Sequence, residues 1–326
     1  RYDSSGVGSP YDGREYRLSE KSQDLATAAP SFKAFALDGS SLEATSGNDL
    51  APDEYADFSV TVVFTEGTSS DVVLDVDLPS SHWVAVSGAV TTVGSSISVT
   101  GGLADGSAGS ISEGKDKVSF AFGTVSNAGD NKVDAGDEIT VAVRAYLPGS
   151  VSANKRGATP VANAKLQYES KTLSATPVSM KVVEPSLEFT FEVASASGFD
   201  AGDEVAVTLS VAHGASSDAQ AYDLQFNVSE QDLGAVDLST VSCSEGCDGN
   251  SFSRSTQGGS DLLLELERLP LGTSMVVSWK QPFLPGSKIK PATTYTLKAS
   301  GRYDSSGVGS PYDGREYRLS EKSQDL

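Results

Sequence analysis

The sequence has few of the residues that most often carry catalysis or bind metals. Its 326 residues include only 2 Cys, 2 His, 2 Met and 2 Trp. A structural Cys/His metal site needs four ligands, so two His and two Cys leave little material for one. The G-x-S-x-G elbow of many hydrolases is also missing from the sequence. Carboxylates are plentiful enough for a glycosidase pair by counting alone, but the composition favours a protein that is not an enzyme.

Positive charge and long apolar runs are scarce as well. The chain carries 24 Lys and Arg against 44 Asp and Glu, which gives a net charge of −20. Binding to a nucleic-acid backbone needs clustered Lys and Arg, so we expect no nucleic-acid partner. No apolar run approaches the roughly 18 residues of a membrane span, so we expect no span in this segment. The excess negative charge fits a well-solvated surface polymer.

Helical periodicity is not found, and alternation of apolar and polar residues takes its place. Such alternation predicts β-strands with one buried face, and the Gly, Ser, Asp and Asn clusters between the runs predict turns. Many short strands with frequent turns are typical of β-sandwiches. We therefore expect an all-β fold. The clearest alternating runs are 58–64, 118–122, 139–143, 187–193, 205–211 and 262–266.

The chain ends with the same 25 residues with which it begins. Arg1–Leu25 and Arg302–Leu326 are identical letter for letter. The simplest interpretation is a tandem array with a period of 301 residues, seen through a window slightly longer than one period. A duplicated tag is the alternative. It fits less well because the segment contains Tyr2, Tyr11, Tyr16 and Leu18 in a strand-like setting.

A second, weaker repeat divides the 301-residue unit into two halves. Three landmarks recur in the same order: a Pro-Ser entry to a strand, a GxSSD segment that we expect to form a turn, and a Leu-Pro-Gly-Ser motif. They lie at Pro30–Ser31, Gly67–Asp71 and Leu147–Ser150 in the first half, and at Pro185–Ser186, Gly214–Asp218 and Leu284–Ser287 in the second. Shared landmarks in a shared order predict two domains of one fold.

These repeats predict three segments. Residues 1–25 would be the closing strand of a preceding unit, 26–183 a first sandwich, and 184–326 a second sandwich that 302–326 completes. A closing strand without its sheet leaves an open edge. We therefore expect residues 1–25 to be either loosely ordered or paired with a neighbouring molecule.

The stretch Gly123–Val143 resembles the Ig-like conserved repeats of long cell-surface proteins, in which a GDN-VDAGD-ITV pattern precedes a strand. Glu184–Leu224 echoes it with a Pro-Ser-Leu entry, an AGD turn and an alternating strand. The first half departs from the pattern at Ala51–Val60, which replaces the AGD turn. The resemblance implies two tandem Ig-like sandwiches of the kind found in adhesin stalks, fimbria-like chains or flagellar hairs (mastigonemes). It implies a place on the cell surface and no particular chemistry.

Two DAGDE turns are candidate calcium sites. They supply several hard oxygen ligands within a few residues, as calcium requires, although the spacing is not that of an EF-hand. The alternative is a polar turn in which Asp caps backbone amides. The candidate ligands are Asp130, Asn131, Asp134, Asp137 and Glu138 in the first turn, and Asp200, Asp203 and Glu204 in the second.

Two further features point to an extracellular location. Asn227 begins an N-x-S sequon and could carry a glycan, with Phe226 and Val228 facing inward; an unmodified surface Asn is the alternative. Cys243 and Cys247 could close a small disulfide ring in an oxidising compartment. Trp83 and Trp279 are expected to be core residues of the sandwiches rather than a sugar-binding platform.

Taken together, the sequence predicts the structural repeat of a long secreted protein that builds an extracellular filament or cell-surface appendage. Its partners would be neighbouring copies of itself and attached glycans, and its only candidate cofactor is calcium. Identical units present identical surfaces at fixed intervals, as regular assembly requires. The alternatives are a monomeric adhesin stalk, a glycan-binding repeat array, or an accessory domain of an enzyme.

Overall fold

A computed structural model describes residues 2–3, 15–16, 28–42, 45–194, 198–230, 233–258, 261–284, 290, 292–307 and 314–326. Its regular elements are β-strands with two short 3-10 turns, and the described residues contain no α-helix. This confirms the predicted all-β fold class. No helix in the described part of the chain is long and apolar enough to cross a membrane.

The first two strands are a short hairpin close to the start of the chain. The strands are β1 (Tyr2–Asp3) and β2 (Glu15–Tyr16), which pair antiparallel.

Residues 31–182 form an Ig-like sandwich of two antiparallel sheets. Its strands are β3 (Ser31–Ser40), β4 (Asp49–Leu50), β5 (Tyr55–Val63), β6 (Gly67–Asp77), β7 (Val84–Val93), β8 (Ile97–Val99), β9 (Ser110–Ile111), β10 (Lys117–Asn127), β11 (Glu138–Tyr146), β12 (Val161–Tyr168), β13 (Lys171–Ser174), β14 (Val178–Ser179) and β15 (Lys181–Val182). One sheet has the order β3-β5-β11-β7 and the other β13-β12-β6-β10-β8, while β4 and β15 form a small parallel pair.

Residues 187–325 form a second sandwich. Its strands are β16 (Leu187–Val193), β17 (Glu204–His213), β18 (Ala221–Glu230), β19 (Ser242–Glu245), β20 (Ser253–Gln257), β21 (Asp261–Leu269), β22 (Ser274–Pro282), β23 (Thr296–Asp304) and β24 (Glu316–Asp325). The sheet orders are β16-β17-β22-β19 and β20-β21-β18-β23-β24.

The principal strands of the two sandwiches follow the same topology, while the short strands β4, β9, β14 and β15 of the first have no counterpart in the described part of the second. Strands β16, β17, β22 and β19 take the places of β3, β5, β11 and β7, and β24, β23, β18, β21 and β20 take those of β13, β12, β6, β10 and β8. Each sandwich has its own hydrophobic core, one drawn from residues 50–182 and the other from 187–303. Trp83 is 1% exposed in the first core and Trp279 is 2% exposed in the second. Burial of the alternating apolar faces is the main stabilising contribution, at about 25 cal/mol per Å².

One landmark behaves differently in the two halves. In the second sandwich, Gly214–Asp218 is a connecting loop between β17 and β18, as predicted. In the first, Gly67–Asp71 belongs to β6, so the prediction of a turn there is wrong. The strand continues because β10 is long enough to pair with it, and Asn127 lies opposite Gly67. Within this segment, positive φ angles remain at Gly67 (113°) and at Asp71 (54°).

Candidate functional site

The most elaborate polar cluster of the described chain lies between the sandwiches, around Glu184. This side chain precedes β16 and is almost fully buried, with 8% of the residue exposed. Its Oε1 pairs with Arg315 Nη1 and accepts a hydrogen bond of 2.8 Å from the Tyr317 hydroxyl. Its Oε2 accepts one of 3.0 Å from the Arg156 backbone N–H. The carboxylate therefore binds groups from both sandwiches.

Arg315 reaches across the junction into the first sandwich. Its Nε donates to the Gly149 carbonyl at 2.9 Å, and its Nη2 donates to the carbonyls of Gly149 at 2.6 Å and Val151 at 3.2 Å. Gly149 belongs to the first Leu-Pro-Gly-Ser motif, so the loop that contains this motif binds a side chain from the second sandwich. Charge-assisted, multidentate bonds of this kind are the strong and geometrically specific ones.

A second set of contacts at the junction involves Asp218 and Ser305. Asp218, in the loop between β17 and β18, accepts a hydrogen bond of 2.8 Å from the Glu184 N–H. The same carboxylate lies 3.4 Å from Arg156 Nε and 3.3 Å from Lys181 Nζ. Ser305 Oγ donates to the Pro52 carbonyl at 3.1 Å. The junction is thus built from the connecting loops at one end of each sandwich.

Burial changes the acidity of the aromatic hydroxyls at the junction. Desolvation, followed by the nearby Glu184 carboxylate, raises the pKa of Tyr317 well above its usual value. Desolvation likewise raises the pKa of Tyr303, whose hydroxyl accepts a hydrogen bond from the Leu187 N–H at 3.1 Å. Both hydroxyls therefore stay protonated at physiological pH, and the Tyr317 hydroxyl remains a hydrogen-bond donor to Glu184. The two rings stack with centroids 5.1 Å apart.

Four of these junction residues lie in the segment that occurs twice. Tyr303, Ser305, Arg315 and Tyr317 belong to 302–326, where β24 pairs with β23 at the edge of the second sandwich. In that pairing Tyr303 lies opposite Tyr317 and Asp304 opposite Glu316. The first copy pairs in the same register, with Tyr2 opposite Tyr16 and Asp3 opposite Glu15. The rest of 1–25 lies outside the described residues, so its expected looseness or pairing with a neighbouring molecule stays a prediction.

The first DAGDE turn contains a short 3-10 helix, Ala135–Asp137, which Asp134 caps. Asp134 Oδ1 accepts a hydrogen bond of 2.7 Å from the Gly136 N–H, and Asp137 Oδ2 accepts one of 3.0 Å from the Asp134 N–H, which together form a capping box. Asp137 Oδ1 is also bonded to the Asn127 amide at 2.9 Å. Glu138 pairs with Lys33 at 2.6 Å. These carboxylate oxygens are thus engaged by protein groups.

The remaining candidate ligands form similar local bonds. Asp130 Oδ1 accepts from the Lys132 N–H at 2.9 Å, and the Asn131 N–H donates to Glu66. In the second turn Asp203 Oδ2 accepts from the Asp200 N–H at 2.8 Å, while Glu204 lies 3.2 Å from Lys280 Nζ. Across the described residues no group of three or more His, Cys, Asp or Glu side chains is placed to hold a metal ion. Calcium binding stays a prediction.

The predicted modification sites lie in the second sandwich. Cys243 and Cys247 are joined by a disulfide, with 6.2 Å between their Cα atoms. Asn227 lies half-buried on the outer face of β18, and its neighbours Phe226 and Val228 are in the core. Asn227 Oδ1 has no hydrogen-bond partner in the described part of the chain. Its glycosylation stays a prediction.

Neither His forms a catalytic arrangement with its contacts. His213 Nδ1 lies 2.7 Å from Ser217 Oγ, but its Nε2 faces the Leu269 carbonyl at 3.2 Å rather than a carboxylate. Ser217 Oγ in turn accepts from the Ser186 N–H at 3.0 Å, so the pair orders the linker into β16. His82 Nδ1 lies 2.7 Å from the Asn154 side chain.

A polar groove of about 620 Å³ crosses the outer face of the β20-β21-β18-β23-β24 sheet. Gln225 lines the groove, donates to Glu265 at 2.9 Å and accepts from Arg302 Nε at 2.9 Å. Arg302 Nη1 also donates to Glu316 at 2.9 Å. Further acidic residues, Asp223, Glu267 and Asp304, line the groove. Planar, mutually oriented polar groups of this kind can bind hydroxyl-rich ligands.

Comparison with known proteins gives only distant similarities. No protein-family model and no curated protein matches the sequence. Among solved structures, the chain is similar to the C-terminal domain of the Streptococcus agalactiae AgI/II polypeptide BspA, at 9% identity and a TM-score of 0.46, over 85% of this chain and 94% of that one. It is similar to the C-terminal domain of the Streptococcus pyogenes antigen I/II-family protein AspA, at 9% identity and a TM-score of 0.44, over 90% and 98%.

A third similar structure is the Enterococcus faecalis MSCRAMM ACE, which is described as binding its ligands by the collagen hug model. The identity is 11% and the TM-score 0.30, over 90% of this chain and 94% of that one. At these identities and TM-scores, no functional assignment follows from the likeness.

The junction was not predicted as a site. The sequence indicated that Leu-Pro-Gly-Ser and GxSSD recur, but it did not indicate that the first Leu-Pro-Gly-Ser loop and the second GxSSD loop lie at one junction. Glu184 and Arg315 are 131 residues apart in the sequence. The signal that could have drawn attention to Arg315 was its position in the duplicated segment.

Proposed function

We propose that this chain is a structural repeat of a long cell-surface or extracellular protein, and that its sandwiches are rigid links in a filament or appendage. The observation that carries the proposal is the junction, where Arg315 from the duplicated segment bonds to backbone carbonyls at the end of the first sandwich and to the buried Glu184 carboxylate between the two sandwiches. A module that must transmit force or hold a fixed spacing needs such a locked joint. An ordinary linker would leave the domains free to move.

Two other features support an extracellular setting. The Cys243–Cys247 disulfide is of a kind that persists in oxidising compartments. The net charge of −20 keeps a long repetitive chain solvated and separates neighbouring chains unless cations bridge them. No catalytic function is part of this proposal.

Electron microscopy of the native material tests the proposal. The longest strands of the two sandwiches have ten or eleven residues. Two sandwiches of this length placed one after the other should give a period on the order of 80 Å. A filament protein should give ordered fibres with that axial repeat. Isolated flexible strings would instead indicate a monomeric stalk.

A second candidate function is glycan binding by an array of weak sites acting together. The groove around Gln225, Arg302 and Glu316 favours it, because its hydrogen-bonded network could be exchanged for sugar hydroxyls. Immobilised glycans titrated with the chain and with an Arg302→Ala variant test this candidate. Binding that disappears in the variant would support it, and no binding by either protein would reject it.

A further inference from the structure

The end of the first sandwich that faces away from the junction has an unusual apolar tip. Val133 is 79% exposed in the connection between β10 and β11, more than any other large hydrophobic residue in the described part of the chain. It borders a cavity of about 420 Å³ that is also lined by Ala28, Phe64, Thr65 and Lys132, with Glu66, Asn127, Asn131 and Asp137 as further polar lining. We call the surface formed by Val133, Ala28, Phe64, Thr65 and Lys132 the entry face, because the chain enters the sandwich there.

The equivalent end of the second sandwich forms contacts with the first sandwich. By the strand correspondence, the β21–β22 connection is the counterpart of the β10–β11 connection. Its exposed apolar residue, Leu271, is 50% exposed and lines a cavity between the two sandwiches together with Leu42 and Val183 of the first. The β17–β18 loop, the counterpart of the loop at Phe64–Glu66, holds Asp218 against Arg156 and Lys181. In the second sandwich this end is therefore an interface with the sandwich that precedes it.

The duplicated segment specifies what could precede the first sandwich. Residues 302–326 contain β24, the closing strand of the second sandwich, which ends at Asp325. Asp24 is its equivalent in the first copy, and only residues 25–30 separate Asp24 from the start of β3 at Ser31. Six residues span at most about 20 Å. The exit end of a second sandwich that ends at this position would therefore lie within about 20 Å of the start of β3, close to the entry face.

The exit end of the second sandwich has matching apolar groups. Phe199 is partly buried and stacks on Phe283, with ring centroids 5.1 Å apart. Leu326 is partly buried beside them and exchanges backbone hydrogen bonds with Tyr295, of 2.7 and 3.3 Å. A partly exposed cluster at the exit end and an exposed Val133 at the entry face can cover one another.

We infer that the entry face docks the exit end of the second sandwich of a preceding copy, so that a tandem chain has a second, apolar junction alternating with the ionic one at Glu184. This inference rests on the proposed function as a repeat of a long chain, and it identifies the surface through which one repeat contacts the next. The new junction lacks a counterpart of Arg315, because the first sandwich has the tight β12–β13 turn at Glu169–Ser170 in place of the long β23–β24 connection. It should therefore be the more compliant of the two.

The test uses a chain of two periods, residues 1–326 continued by a further copy of residues 26–326. Val133→Cys is introduced in either the first or the second period, with the native disulfide left intact, and the rate of maleimide modification is measured. Thiol modification requires access. We expect Cys at position 133 to react at least about fivefold more slowly in the second period than in the first, because a complete second sandwich precedes it only in the second period. Equal rates in the two periods would overturn the inference.

Two controls separate docking from other effects. Ile111→Cys, at a residue 38% exposed on β9, should react equally in both periods, and a similar slowing there would indicate general association and overturn the inference. Leu271→Cys should also react equally, because both periods contain the ionic junction. Val133→Asp in the second period should lengthen the maximum dimension in small-angle scattering, and no change would count against docking.

These measurements are independent of the proposed filament. Ordered fibres from native material together with equal thiol rates would reject the entry face alone. Slowed rates together with isolated strings from native material would keep the junction and reject the filament.

Discussion

The Arg315 guanidinium pairs with the Glu184 carboxylate at the boundary between the two sandwiches, and both side chains are mostly shielded from water, at 21% and 10% exposure. Removing one partner of a buried ion pair leaves an uncompensated charge, and typically costs about 3–5 kcal/mol. Partial exposure of Arg315 moves the expected cost toward the lower end of that range.

Arg315→Ala should therefore lower the free energy of unfolding by about 3 kcal/mol, and it also removes the bonds to the Gly149 and Val151 carbonyls. Each sandwich contains one of the chain's two Trp. Denaturation followed by fluorescence in Trp83→Phe and Trp279→Phe backgrounds thus reports on each sandwich separately.

The matched control is Arg318→Ala on the same strand. Arg318 is 81% exposed, and its pair with Glu316 should contribute less than about 1 kcal/mol. Equal losses from the two variants would contradict a special role for Arg315.

Gly149→Ala should destabilise the first sandwich by about 1–3 kcal/mol, the usual cost of overpacking. A Cβ at this position would collide with the Asp53 carboxylate, which accepts hydrogen bonds from the Gly149 N–H and from Tyr146. The measurement is urea denaturation followed by Trp83 fluorescence. Gly39→Ala is the matched control: a Cβ there would meet no atom within 4 Å, so little change is expected. An unaffected Gly149→Ala protein would show that this loop adapts freely.

Much of the architecture was predictable because one physical signal dominates it. Alternating runs such as Phe58–Phe64 can bury one face only as strands, and turn residues separate them. The roles of individual carboxylates were not predictable in the same way. Asp137 looks like a calcium ligand in sequence, yet its oxygens bond to the Asp134 N–H and the Asn127 amide. Whether an acidic residue binds a cation or a backbone amide depends on partners that only the fold brings close.

Acidification should weaken the second sandwich through His213. Desolvation by burial lowers the pKa of His213 below its ordinary value of 6.5. The unfolded chain therefore binds a proton more readily than the folded one, and stability present above pH 6.5 is lost as the pH falls from there toward the folded pKa. Urea denaturation followed by Trp279 fluorescence should show this loss. His213→Gln should reduce the slope in that window, whereas His82→Gln, in the other sandwich, should leave it unchanged. An unaltered slope in His213→Gln would assign the effect to another group.

Opening the Cys243–Cys247 disulfide should cost about 2 kcal/mol, because a ring this small restricts the unfolded chain only modestly. The Cys243→Ser/Cys247→Ser double variant and the reduced wild-type protein should lose similar amounts, measured as shifts in the denaturation midpoint of the second sandwich. Reductant should have no effect on the double variant. A loss confined to the first sandwich would contradict the prediction, since the disulfide lies on β19 and the loop that follows it.

A substitution in the first DAGDE turn can distinguish a structural cap from a cation site. Asp134→Ala removes the side-chain acceptor for the Gly136 N–H, and the loss of such a cap typically costs about 1 kcal/mol. We expect this penalty in the first sandwich in the presence of a chelator, measured by denaturation followed by Trp83 fluorescence. Asp130→Ala, which removes only a local bond to the Lys132 N–H, is the matched control and should cost less. If the predicted calcium site exists, calcium should raise the stability of the wild-type protein, and the Asp134→Ala penalty should grow in its presence. A penalty that is the same with calcium and with chelator would assign Asp134 to capping alone.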